Sequence, residues 1–155
     1  MNNLEEVLKK HQLTFPNPPG RGGVYEPVKE FGVNLCYLSG CVPAFNGEIR
    51  WKGRIGRELT IEQGQEAARI CALNLLANLK AKYGSLDRVK RIVKMIAFVV
   101  GTEDFYEHPR VANGASELLV EIFGEEAGCC ARSAIGVYAL PSNVPVEIEL
   151  LVELN

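Results

Sequence analysis

The sequence predicts an α+β domain in which two helices lie on one face of a sheet. Three observations lead there. Apolar residues recur at helical spacing over about Ile61 to Tyr83 (Ala67, Ile70, Cys71, Leu75, Leu79) and again over about Arg110 to Phe123 (Val111, Leu118, Leu119, Ile122, Phe123). Between them "RIVKMIAFVVG" (91–101) is nearly continuous in β-branched and aromatic residues, as expected of a strand buried on both faces. A length of 155 residues matches one hydrophobic core, so residues 1–155 are expected to form a single domain.

Taken in order, a short helix is expected at Leu4 to His11, followed by "FPNPPGRGG", whose prolines and glycines exclude regular structure. Residues 1–24 thus form an N-terminal arm. "VNLCYLSGCV" (33–42) is rich in strand formers, and "EIRWKG" (48–53) is its expected hairpin partner. Thr60 and Gln63 make a T-x-x-Q capping box for the first long helix, and Gly84 and Gly124 stop the two long helices. Strands at 132–139 and 145–153, joined through a turn at Leu140 to Ser142, finish the chain. Two helices cover only one face of such a sheet. Because Val93, Met95, Ala97 and Val99 alternate with Ile92, Ile96, Phe98 and Val100, the other face also needs burial, which predicts a homo-oligomer with a pocket between subunits.

Seventeen Lys and Arg against nineteen Asp and Glu leave a net charge of −2, so no global field draws the protein to nucleic acid or to an anionic membrane. "MNNLEEVLKKHQ" lacks the residue order of a secretion signal and no apolar run reaches spanning length, which predicts a cytoplasmic protein. Five cysteines without a C-x-x-C pair fit buried reduced thiols better than a zinc site or a disulfide framework. His11 and His108 have no partner at metal-ligand spacing, and no Ser or Cys stands in a nucleophile elbow; neither metal nor cofactor is expected. "KGRIGRELT" lacks the ending of a phosphate loop and reads as a solvated loop. "DRVKRIVK" reads as a solvated face and Trp51 as a packed aromatic.

The chemistry concentrates in "ARSAIGVYALPSNVPVEIEL" (131–150). Strand alternation puts Val146, Ile148, Leu150, Val152 and Leu154 on one face and Glu147, Glu149, Leu151 and Glu153 on the other. Arg132 shares its face with Ala134, Gly136 and Tyr138, so a fork suited to a carboxylate or phosphate stands beside small side chains. Either Arg132 pairs with Glu149 across a hairpin, or it faces a ligand. A hairpin turning at Leu140 to Ser142 would set Glu147 opposite 134–136, on the order of 10 Å from Arg132 at ~3.3 Å per residue, which suits a ligand between them.

These residues carry a resemblance. "ARSAIGVYALPSNVPVEIE" resembles the C-terminal signature of the Rid family, the YjgF-type proteins, some of them described as L-PSP endoribonucleases. "LSGCVP" is similar to the family's S-G-Q-x-P segment, "LTIEQGQEAARICALNLLANLKA" to its long helix, "VKMIAFVVG" to its central strand and "VANGASELLVEIFGE" to its second helix. The resemblance implies a chorismate-mutase-like α+β subunit with a mostly antiparallel sheet, assembled as a homotrimer with clefts between subunits. It also implies hydrolysis of reactive 2-imino and 2-enamino acids to 2-oxo acids and ammonia. Arg132 would clamp the substrate carboxylate and Glu147 would hold the attacking water or assist proton transfer. Tyr25, Ser39, Gly40, Asn113, Ala131 and Ala134 would line the cleft. The chain departs from the pattern at Cys130, where the family often has proline, at Ala134, where it has cysteine, and at Tyr138, where it is usually small. Two rival readings follow: a trimer that binds or senses a small carboxylate without catalysis, and an endoribonuclease, which the charge balance and the lack of a histidine-centred site argue against.

Overall fold

Strand β7 (Val146–Leu154) shows how the sequence sets the architecture. Val146, Ile148, Leu150, Val152 and Leu154 are buried and the residues between them are half-buried, a strict period of two. Each buried aliphatic side chain contributes about 1.5–3 kcal/mol over its exposed state. The computed structural model describes residues 3–155. The other elements are α1 (Leu4–Lys10), β1 (Val28–Phe31), β2 (Leu35–Cys41), β3 (Ala44–Phe45), β4 (Glu48–Ile49), α2 (Ile61–Tyr83), β5 (Val89–Val99), α3 (His108–Phe123), α4 (Glu125–Gly128) and β6 (Ala131–Gly136). The main sheet runs β1-β2-β7-β5-β6, antiparallel at every pairing except β5 with β6. Helices α2 and α3 pack on one face, and the buried residues form one contiguous core.

Local signals hold where they are strong. Thr60 Oγ1 accepts from the Gln63 amide at 3.1 Å while Gln63 Oε1 accepts from the Thr60 amide at 2.9 Å, and Gly84 ends α2 at φ 80°. Trp51 is buried with the Arg50 guanidinium over its ring. Lys90 and Arg91 both pair with Glu153 at 2.7 Å, consistent with a solvated charged face.

Long-range pairings differ from expectation. The last two strands are not a hairpin. Strand β6 follows α3 and lies parallel to β5, and β7 then crosses to the other side of β5, so Glu147 sits opposite Phe98 rather than opposite 134–136. Regular structure in β6 ends at Gly136, and Tyr138 is exposed beyond it. "EIRWKG" does not pair with 33–42: Glu48 and Ile49 fold back on Ala44 and Phe45, and β2 takes β1 as its hairpin partner. Register shifts in β5 place Ile92 with Met95 in the core instead of on the far face with Ile96. Cys36, Cys41 and Cys71 are buried, but Cys129 is exposed. The "KGRIGRELT" loop is tied down rather than solvated, because Arg54 donates to the carbonyls of Gly101 (3.0 Å) and Tyr138 (2.7 Å). Among the described residues no helix is long and apolar enough to cross a membrane.

Helices α2 and α3 approach closely through glycine. A Cβ on Gly64 of α2 would fall 3.1 Å from Val111 Cγ1 of α3, and one on Gly114 of α3 would collide with the Gln65 carbonyl of α2. Backbone cannot retreat as a side chain does, so Gly114→Ala is expected to cost about 1–3 kcal/mol in chemical denaturation. Gly20→Ala, with nothing within 4 Å of its Cβ, should leave the midpoint unchanged.

Candidate functional site

The predicted site residues fall into two places. The first is a cleft of about 870 Å³ where the N-terminal arm, the end of β2 and the start of β7 meet. A bulge builds its floor. Pairing between β2 and β7 slips between Leu38 and Cys41, leaving Ser39 and Gly40 without Cα partners on β7. Ser39 is fixed on the other side: its amide donates to the Pro27 carbonyl at 3.0 Å and its hydroxyl to the Glu26 carbonyl at 2.7 Å. The Glu147 carboxylate occupies the space beside Gly40, where a Cβ would lie 2.5 Å from Oε1. Tyr25 closes another wall, its hydroxyl accepting from the Gly22 amide at 3.0 Å.

Glu147 has no hydrogen bond or ion pair among the described residues. Burial, and secondarily the neighbouring Glu149, push its carboxyl above the ordinary value of 4.5. Glu149 is otherwise engaged, accepting from the Tyr37 hydroxyl at 2.7 Å. Cys41 also lines the cleft. Burial, with a smaller contribution from Glu147, pushes its thiol up to about 12, which keeps it protonated and unreactive.

The second place is a groove between α3 and the edge strand β6. Arg132 Nη1 donates to Asn113 Oδ1 at 2.8 Å and to Ser116 Oγ at 3.0 Å. No carboxylate among the described residues lies within ion-pair reach of this guanidinium, so the Arg132–Glu149 salt bridge is not formed. Two neutral oxygens orient the fork and leave its remaining donors free of protein partners. Ala134 follows Arg132 on the same face; Ala131, exposed, begins the strand. Asn113 therefore orients the arginine here. Ser116, one helical turn on, shares that task and was not singled out from sequence; its spacing of three from Asn113 was the available signal.

The two places lie on opposite faces of the sheet. Arg132 is in register with Met95 and Glu147 with Phe98, three positions apart on β5. Sequence reasoning set Arg132 and Glu147 on adjacent strands with a ligand between them. The structure instead groups Tyr25, Ser39, Gly40 and Glu147 in the cleft and Arg132, Asn113 and Ala134 in the groove, with β5 intervening. Among the described residues no group of three His, Cys, Asp or Glu side chains could hold a metal ion.

Because Glu147 keeps its proton to higher pH folded than unfolded, the folded chain binds more protons between 4.5 and the raised value. Its contribution to stability is therefore largest below 4.5 and falls as pH climbs through that window. Urea denaturation at pH 4 and pH 7 should show Glu147→Gln gaining on wild type as pH rises, the sign opposite to that of a salt-bridged carboxylate.

Comparison with known proteins agrees with this fold. Residues 5–154 match the family model described as "YjgF/chorismate_mutase-like, putative endoribonuclease". Protein TCP17 of Trypanosoma cruzi is 46% identical over 119 residues, covering 77% of this chain and 74% of its own length. The crystal structure of Atu1372 from Agrobacterium tumefaciens superposes with a TM-score of 0.89 at 37% identity, covering 98% of this chain and 92% of that one. Escherichia coli TdcF, solved with bound serine, superposes with a TM-score of 0.64 at 25% identity over 92% of this chain and 96% of its own. The chain belongs to the YjgF/chorismate mutase-like family.

Proposed function

We propose that the protein hydrolyses small 2-imino and 2-enamino acids to 2-oxo acids and ammonia, at sites completed between copies of the chain in a homotrimer. One observation carries this reading. An arginine with unpaired donors and a desolvated carboxylate without a partner stand on opposite faces of one sheet, so they can act on one ligand only if a second copy brings its groove to the first copy's cleft. Phe98 and Ile96 on the open face and the exposed Tyr37 and Ile135 supply apolar surface for that contact.

In this arrangement Arg132, held by Asn113 and Ser116, binds the substrate carboxylate through two parallel charge-assisted hydrogen bonds. Glu147 accepts a proton from water as the oxygen attacks the imine carbon. It returns that proton to nitrogen, giving the carbinolamine, and then carries the carbinolamine's hydroxyl proton to the same nitrogen as the C–N bond breaks, releasing the 2-oxo acid and ammonia. A raised carboxyl suits both halves of this exchange, since the group must take and release one proton at a working pH near neutral. Ala134 carries no thiol, and burial pushes the thiols of Cys41 and of Cys130, two residues before Arg132, above the ordinary value, so no covalent step is invoked. TdcF with bound serine supports a small amino or carboxylate ligand in this fold. Cleavage of RNA, which the family description names, is disfavoured by a cleft lined with a carboxylate and by no lysine or arginine.

The test follows 2-iminopropanoate as a dehydratase generates it. Wild type should accelerate its loss. Arg132→Ala is expected to raise KM and lower kcat/KM by about 10²-fold or more, and Glu147→Gln to lower kcat by about 10²–10⁴-fold with KM little changed. Binding of 2-oxo acids without turnover would favour a carboxylate sensor instead, and salt-sensitive cleavage of RNA would overturn both.

A further inference from the structure

Helix α2 carries two buried asparagines, and only one of them serves the fold. Asn74, 1% exposed, donates from Nδ2 to the carbonyls of Val42 (3.0 Å) and Ala44 (2.8 Å) and so holds the segment that leaves β2. Asn78, four residues and one helical turn on, is 7% exposed and lines the cleft that contains Glu147. Its Nδ2 meets only the Cys41 thiol, a weak acceptor, at 3.5 Å, and its Oδ1 has no partner among the described residues. Asn74 Oδ1 is sealed off, whereas Asn78 Oδ1 is open to the cleft. Leu75, Leu76 and Leu79 are fully buried, so an apolar residue at 78 would have continued the core. A buried amide whose hydrogen bonds are unmade is costly unless a ligand supplies them.

The cleft runs from Glu147 to Asn78. Gly40 faces the Glu147 carboxylate, and the next residue, Cys41, touches Asn78. The space of about 870 Å³ lies near the top of the range for clefts that take drug-sized ligands, about 300–1,000 Å³, so a three-carbon imino acid would fill little of it. No lysine, arginine or histidine lines it, so a second acid on the ligand would meet no cation and would stand near Glu147. An apolar side chain would leave Asn78 unanswered. A primary carboxamide both donates to Oδ1 and accepts from Nδ2.

We propose that Asn78 is a substrate contact and that the cleft selects 2-imino and 2-oxo acids whose side chain ends in a neutral carboxamide. This rests on the reading in which Glu147 and the Arg132 of a second copy act on one ligand. Calorimetric titration with three acids of equal size reads the selection: 2-oxosuccinamate, 2-oxosuccinate and 4-methyl-2-oxopentanoate end in a carboxamide, a carboxylate and an isopropyl group. Wild type should bind the amide about tenfold or more tightly than either of the others. Asn78→Leu and Asn78→Ala should bring the amide and the isopropyl acid within about threefold, while 2-oxopropanoate, with no polar atom for Asn78 to answer, binds as it does to wild type. Melting curves show which variants fold, and Asn78→Ala keeps the test open should Asn78→Leu overpack its site. Equal wild-type affinities for the amide and the isopropyl acid, tighter binding of 2-oxosuccinate, or a preference that survives in the Asn78 variants would overturn the role of Asn78 alone, provided that 2-oxopropanoate binding still depends on Arg132. Binding of 2-oxopropanoate that is indifferent to Arg132→Ala, or absence of binding by every acid, would overturn the carboxylate site itself.

Discussion

Strand β5 is the constraint on which the molecule depends. It pairs with β7 on one side and β6 on the other, presents Met95, Ala97 and Val99 to the helices, and turns Ile96 and Phe98 to the open face. Everything chemical is referenced to it. Arg132 takes its direction from Met95 and Glu147 from Phe98, so the spacing of three along one strand separates cation from carboxylate. In the proposed reading a single chain then holds two half-sites, each defined by its own neighbours.

Each half-site holds a charge that no opposite charge answers, unlike many of the surface charges of the fold. Buried or half-buried charges are ordinarily paired. Lys90, Arg91, Lys10, Arg57 and Arg110 all have carboxylate partners at 2.6–2.9 Å. Arg132 and Glu147 have none. Asn113 and Ser116 orient the arginine without neutralising it, and Gly40 admits the glutamate at the cost of burial. Unpaired charge held in place by neutral contacts is expected where a ligand is to complete the pairing.

Much of the fold was legible because its signals are local. The capping box at Thr60 and Gln63, the stops at Gly84 and Gly124 and the alternation in β7 each depend on residues a few positions apart. Strand partners were not legible in the same way. A Leu-Pro-Ser-Asn turn between two extended segments reads as a hairpin, yet the turn only carries the chain from β6, at the edge, past β5 to β7. Nothing between Leu140 and Val146 encodes that crossing; it follows from α3 returning the chain parallel to β5. The site was legible as residue types and not as geometry for the same reason. Arg132 and Glu147 stand out as charges in apolar strands, but the face each takes depends on pairings that the local pattern does not specify.

The central claim is that Arg132 of one copy works with Glu147 of another. The most direct test mixes two inactive variants, Arg132→Ala and Glu147→Gln, denaturing and refolding them together at equal concentrations and measuring imine hydrolysis. In a closed ring of randomly mixed subunits about one quarter of the interfaces regain both wild-type groups, so activity should return to about a quarter of the wild-type level. If the mixture is no more active than the two variants assayed apart, the two groups do not meet across a subunit boundary and the intersubunit site is contradicted.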